Sequence, residues 1–249
     1  MARFLTFALV APIASFGALA VGERRDGWSR PARSAVLGLI GGCLGLARED
    51  AEAQVALGQG YGLALLCDTP GRLLADFHTA QIGRPARGQV FRTRAQELAA
   101  EKVDTVLSRR DYRVSAWHLA ALWAREEVSP RWSLDALAEA MARPVFTPYL
   151  GRRACPLGLP LAPRLTDAAS PSEALAARST DGPEARFRWS LADAEQAPFV
   201  ARDPWPGDGD ARATRRIEER RDEPLSRTLW QFGLRSEVIE AFPPSGGKP

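Results

Sequence analysis

Apolar residues occupy both alternating faces of FLTFALV, residues 4–10, the pattern of a strand covered on both sides of its sheet. Pro12 is expected to stop that strand, and the charged, turn-rich GERRDGWSRP of residues 22–31 reads as an exposed loop. From Ala32 to Leu46 the period becomes helical. Val36, Ile40 and Leu44 fall at i, i+4 and i+8, while Gly38, Gly42 and Gly45 form a second stripe that predicts a backbone packed close to something else. Residues 48–58 read as a short polar helix, and YGLALLCD (61–68) as a second strand. A third strand is predicted from Arg72, passing into a loop near Ile82. GRPARGQVFRTR (83–94) places Arg84, Arg87, Arg92 and Arg94 behind three turn-forming residues and reads as a mobile basic excursion.

Residues 105–123 carry a long, mostly apolar strand pattern led in by Arg109, Arg110, Asp111 and Tyr112. Ser133 is placed to cap a helix over LDALAEAMA, whose apolar stripe is Leu134, Leu137 and Met141, before Pro144 ends it. After residue 144 the pattern dissolves: VFTPYLGRRACPLGLPLAP reads as extended and loop-like, residues 172–177 as a short helix, and 178–184 and 203–210 as polar turns. RATRRIEERRDE (212–223) reads as a solvated charged face, LWQFGLRSEVIEAF as a return to the sheet, and PPSGGKP as a frayed tail.

The order of strands and helices over the first 145 residues predicts an α+β fold built on a ferredoxin-like βαββαβ unit. The expected division is a domain at 1–145, a smaller extended, β-rich part at 146–240 and a flexible tail at 241–249. That fold serves RNA-recognition modules and many unrelated proteins, so function rests on residues rather than on architecture.

Composition changes the picture in one respect. Of 33 basic residues in the 249-residue chain, all but Lys102 and Lys248 are arginine, the side chain that forks onto phosphate oxygens and stacks on bases. Three separated cysteines, Cys43, Cys67 and Cys155, argue against a disulfide framework or structural zinc, and two histidines exclude a multi-histidine metal centre. No metal or cofactor is expected, and no stretch beyond the N-terminal one approaches the length of a membrane span. Nucleophile-elbow, Walker A, Rossmann, HExxH and EF-hand patterns are absent from the sequence.

What remains are arginine-rich blocks with aromatic neighbours. They are Arg24, Arg25, Trp28, Arg30, Arg33 and Ser34; then Arg109, Arg110 and Tyr112; then Tyr149, Arg152 and Arg153. Arginines supply phosphate contacts and Trp or Tyr supply stacking planes, the combination used to bind unpaired RNA. Arg33 and Ser34 open the glycine-bearing helix, where amides and an arginine could seat a phosphate, with simple capping by Ser34 as the alternative. His78, beside Asp76, Phe77 and Thr79, is the candidate general base if the chain instead cleaves RNA through the 2′-hydroxyl; His118 reads as core.

PARSAVLGLIGGCLGLARED (31–50), DFHTAQIG (76–83), LSRRDYRVSA (107–116), TPYLGRRACPLGLPL (147–161) and RRDEPLSRTLWQFGLRSE (220–237) resemble, in order and over most of the chain, the CasD-type subunits of Cascade. These form part of the Cas-five branch of the RAMP superfamily, in type I-E CRISPR surveillance complexes. The resemblance implies a ferredoxin-like, RRM-related domain with a thumb at about residues 83–105. It implies a cytoplasmic, non-catalytic subunit that holds the 5′ handle of the guide RNA, contacts the backbone and large subunits, and meets target DNA only through the complex. Guide processing belongs to a separate endonuclease in this subtype, whereas relatives in another subtype cleave the repeat RNA themselves. By position, the 30–34, 109–112 and 149–153 segments are where RNA or assembly contacts are implied.

The first residues, MARFLTFALVAPIASFGALAVG, also carry the ingredients of a secretory signal peptide: Arg3, an apolar run and Ala18-Leu19-Ala20. The resembled family begins with an apolar strand in this place, which makes the segment part of the sheet.

Overall fold

The computed structural model describes residues 1–18, 22–191, 197–208, 216–226 and 228–242. Leu19 and Ala20 of the small-residue site, the end of the 203–210 segment, residues 212–215 of the charged run and the tail from residue 243 lie outside them. A mixed α+β architecture is built on one sheet with strand order β6-β1-β5-β3-β7-β9-β8, and β2 and β4 join it through β5. The strands are β1 (Ala2–Ala14), β2 (Arg24–Arg25), β3 (Tyr61–Thr69), β4 (Arg72–Gly83), β5 (Val103–Ala124), β6 (Arg164–Ala168), β7 (Phe199–Arg202), β8 (Arg216–Ser226) and β9 (Gln231–Ala241). The helices are α1 (Arg33–Cys43), α2 (Ala51–Gly60), α3 (Arg94–Leu98), α4 (Leu134–Ala142), α5 (Pro171–Asp181) and α6 (Ala185–Leu191).

The two-sided apolar pattern of β1 follows from where it lies. Leu5, Phe7, Leu9 and Ala11 pack with α1 (Val36, Ile40) and α4 (Leu137, Met141) on one face, while Phe4, Ala8 and Val10 meet Trp117, Trp123 and the α5 residue Leu175 on the other. Burying each large aliphatic or aromatic side chain contributes about 1.5–3 kcal/mol, so helices on both faces reward a strand that is apolar throughout.

Pro12 does not stop β1. Ala11 and Ile13 still pair with Ala116 and Val114 of β5, and β1's pairing with β6 ends at Thr6. Beyond that the edge meets a loop, with the Gly158 N–H on the Val10 carbonyl at 2.9 Å, so the missing proline N–H interrupts no strand ladder there.

β5 is the long member, and its two halves do different work. Residues from Ala116 to Trp123 are buried between β1 and β3, whereas the first half leaves the core paired with β4, from Arg72↔Val114 to Gly83↔Val103. Arg109–Tyr112 therefore lie inside a strand rather than before one, and the strand predicted from Arg72 runs on to Gly83. Ser133 caps α4 as expected, its Oγ accepting from the Ala136 N–H at 3.1 Å. Residues 178–181, expected as turn, complete α5, where the buried Arg178 forks onto Glu184. No helix of the described residues is long and apolar enough to cross a membrane.

Candidate nucleic-acid interface

β2 lies parallel beside β5, with Arg24 opposite Arg109 and Arg25 opposite Arg110, and the Arg109 N–H donates to the Glu23 carbonyl at 3.0 Å. Four guanidiniums are thus gathered on neighbouring strands. The nearly buried Asp111 carboxylate lies 3.5 Å from Arg24 and 3.9 Å from Arg109, and Asp26 pairs with Arg24. Among the described residues no carboxylate lies within ion-pair distance of Arg25 or Arg110, so the cluster keeps a net positive charge facing solvent.

The TPYLGRR block reaches the same place from the other side. The Ser15 N–H donates to the Leu150 carbonyl at 3.0 Å, and Gly151 sits so close to Ser15 that a Cβ would meet its carbonyl oxygen at 1.6 Å. This docks residues 149–156 against the end of β1, next to the Ala14↔Arg113 pair of β5. Arg152 stacks over the Tyr112 ring at 4.6 Å, Tyr149 is 44% exposed, and Arg153 is exposed. Trp28 completes the group: the Arg113 Nε donates to its carbonyl at 3.3 Å, and its indole, 37% exposed, lies over Arg220 at 4.6 Å. Three blocks far apart in sequence converge at one end of the sheet.

Arg30 and Arg33, grouped by sequence with the RNA contacts, are not on this surface. Arg30 is 5% exposed and bridges Glu218 and Glu237; Arg33 is fully buried, donates to the Gly58 and Tyr61 carbonyls at 2.7 and 2.8 Å, and lies 3.4 Å from Asp203 and 3.2 Å from Glu223. Both are neutralised inside the protein because β8 and β9 bring carboxylates over them. Nor does Ser34 cap α1, since Ala32 holds the N-cap position with no side-chain bond; the Arg33 N–H donates instead to the Asp222 carboxylate at 2.8 Å, which takes the seat expected for a phosphate. Ser34 itself is half-buried and lines a groove beside Trp28. Of the glycine stripe, Gly45, just past α1, is packed as closely as expected, a Cβ there meeting Val145 at 2.9 Å, whereas a Cβ on Gly42 would meet nothing within 4 Å and Gly38 is exposed.

The charged run before residue 223 is not a solvated face either. In β8, Glu218, Arg220 and Asp222 alternate inward while Glu219 and Arg221 point out. Arg220 and Asp222 join Arg30, Arg33, Arg125, Arg235, Asp203 and Glu237 in a buried ionic network. Burial works against the Arg235 charge, but the carboxylates of Asp222, Asp203 and Glu237 hold its pKa above the ordinary value. Asp222 is likewise held below the ordinary carboxylate range, because the Arg235 hydrogen bonds outweigh its burial. The run carries no apolar and polar alternation, since its one apolar residue, Ile217, is exposed; what alternates at every second position is the sign of charge on the inward face, Glu218, Arg220 and Asp222.

His118 is fully buried against Phe16, and burial pushes it down to about 3, which leaves it a neutral core residue. His78 lies exposed on β4, its Nδ1 2.6 Å from Asp76 and its backbone opposite Ser108. Cys43, Cys67 and Cys155 are buried free thiols, the first two pushed up to about 11 and about 12 by desolvation. Among the described residues no group of three or more His, Cys, Asp or Glu is placed to hold a metal ion.

One large sheet with helices on both faces, ending in a cationic, aromatic surface, defines the class: a mixed, sheet-dominated α+β protein. Within that class, the profile of the family described as CRISPR-associated protein (Cas_Cas5) matches residues 4–237, and the chain belongs to that family. It is 31% identical over 175 residues, covering 70% of this chain and 76% of the relative, to the CRISPR system Cascade subunit CasD of Escherichia coli (strain K12). Among solved structures, a chain of a CRISPR RNA-guided surveillance complex superposes with a TM-score of 0.60 at 21% identity, covering 96% of this chain and 90% of that one. A second, titled as the crystal structure of a Cas protein, gives 0.57 at 20% identity, covering 96% and 95%.

Proposed function

We propose that this protein is the RNA-binding subunit of a type I-E Cascade, holding the 5′ handle of the guide RNA and capping the backbone in antiviral defence. One observation carries the reading beyond family membership: Arg24, Arg25, Arg109 and Arg110 gather beside Trp28, Tyr112, Tyr149, Arg152 and Arg153 at one end of the sheet. Guanidiniums there neutralise handle phosphates and the aromatics give unpaired bases a stacking surface. Ser34 borders that surface, while Arg30 and Arg33 act through the frame beneath it.

The antiparallel order β6-β1-β5-β3 supports a ferredoxin-like core in which β1, β3, β5 and β6 are its first to fourth strands, with α1 and α4 as the connecting helices. We draw that core to Ala168 rather than residue 145, because its fourth strand is β6. The thumb of residues 83–105 is then the far end of the β4–β5 hairpin, which carries α3. The partners are the guide RNA, the backbone and large subunits, and target DNA through the complex. The compartment is the cytoplasm, no cofactor is required, and the role is non-catalytic.

Replacing Arg24, Arg109 and Arg152 together by alanine in a reconstituted complex tests the assignment. Each lost phosphate contact lowers the slope of log affinity against log salt by about 0.7 for single-stranded RNA, so affinity should fall and become less salt-sensitive. Unchanged affinity and slope would remove the site. The Asp76–His78 pair, on the same face of the hairpin as Arg110, supports a second reading as a metal-independent endoribonuclease. Cleavage of labelled repeat RNA in EDTA, abolished by His78→Ala, would establish it.

A further inference from the structure

We propose that the groove between Trp28 and the β8–β9 hairpin seats one unpaired purine base of the guide RNA, an inference that rests on the handle-binding reading above. The groove has a volume of about 670 Å³, within the usual range of small-molecule sites, and its walls include Trp28, Ser34, Arg220, Trp230 and Phe232.

Both indoles are held by guanidiniums. Arg220 lies 4.6 Å from the Trp28 ring, and Arg48 lies 4.4 Å from the Trp230 ring while donating to the Thr228 carbonyl at 3.3 Å. Trp230 also lies 6.1 Å from Phe232. A ring fixed in this way loses little freedom when a base stacks on it, although Trp230 is 56% exposed and Trp28 37% exposed.

Arg220 supplies the second, independent observation. It is 1% exposed and donates from Nη1 to the Pro31 carbonyl at 3.3 Å; Nε and Nη2 make no hydrogen bond, Nε lying 3.7 Å from the Asp222 carboxylate, which leaves Nη2 as the donor without an acceptor. Unsatisfied buried donors are costly, and a purine in the groove would offer its N7 acceptor, with O6 as well in guanine, to the unpartnered Nη2. Charge and continuity select RNA over a peptide. Trp28 follows Arg25 on the same turn and is tied by its carbonyl to Arg113 of β5, so a strand whose phosphates rest on Arg24 and Arg109 passes the mouth of the groove.

The test uses reconstituted complex and guide RNA carrying 2-aminopurine at one handle position at a time. One position should be quenched in the wild-type complex and recover its fluorescence in Trp28→Ala and in Trp230→Ala, with handle affinity reduced about fivefold or more in each. Trp28→Phe should retain most of the binding, which separates lost stacking from misfolding. Unchanged affinity in both alanine variants with no responsive position would overturn the groove while leaving handle binding intact. Loss of a neighbouring subunit from those variants, with RNA signals unaltered, would make the groove a protein contact and overturn the proposal. Failure of the wild-type complex to bind the handle would overturn this inference and the function it rests on together.

Discussion

Arg33 shows how far a residue's meaning depends on what covers it. Its place at the head of α1 suggested a phosphate ligand, yet its guanidinium is enclosed by Asp203, Glu223 and the carbonyls of Gly58 and Tyr61. Removing one member of a buried ionic cluster leaves the others uncompensated, which costs about 3–5 kcal/mol. Arg33→Met should therefore lower the urea midpoint of the purified protein by a corresponding amount, whereas Arg24→Ala, at an exposed site, should leave it nearly unchanged. Equal stability of the two variants would contradict the assignment of Arg33 to the frame. The sequence could not distinguish them, because the carboxylates that neutralise Arg33 come from positions about 170 to 190 residues away in the chain. The blocks that hold Tyr112, Arg152, Arg24 and Arg109 stood out in the sequence as arginine and aromatic runs, but their meeting on one surface did not, because it joins segments far apart in the chain.

Among the elements, β1 and the 149–156 loop illustrate opposite cases. Seven apolar-compatible positions in a row told that residues 4–10 form a strand covered on both faces, and they do, with α1 and α4 on one side and α5 on the other. The loop's docking was invisible, although its glycine was in plain view. Gly151 has φ +87 and presses on the Ser15 carbonyl, so alanine there meets both a backbone penalty of about 1–2 kcal/mol and a direct clash. Gly151→Ala should displace the loop from β1, separating Arg152 from Tyr112; the expected readout is weakened handle binding with a cooperative unfolding transition retained. Normal handle affinity in that variant would show that the loop's seat on β1 does not shape the interface. The β8 strand was missed for a different reason: a dense charge run was read as solvated, when its alternating signs pair across the buried network.

For the whole molecule, that network joins the C-terminal hairpin to the core alongside the β7–β9 ladder and the buried Ile239 and Phe242, and it makes the junction pH-dependent. Asp222 and Glu218 are held below their ordinary range by the arginines that outweigh their burial. A carboxylate with a depressed folded-state pKa contributes stability above its unfolded value, near 4, and loses it as pH falls through the folded value. Glu223 runs the other way, since its burial outweighs Arg33 and raises its pKa, so acid relieves that one group. With two depressed carboxylates against one raised, the β8–β9 hairpin should loosen below about pH 4. Amide hydrogen exchange should show protection lost there before β1, β3 and the buried half of β5. Simultaneous loss across the sheet would contradict a separately latched hairpin.

The central claim is that the arginine and aromatic end of the sheet holds the 5′ end of a guide RNA. Ultraviolet crosslinking of the native complex, isolated through this subunit, followed by mass spectrometry and sequencing of the attached RNA, tests it most directly. The account predicts crosslinks from the first nucleotides of the guide to Trp28, Tyr112 or Tyr149. Crosslinks confined to other surfaces of the subunit, or recovery of the complex with no guide RNA touching it, would contradict the account.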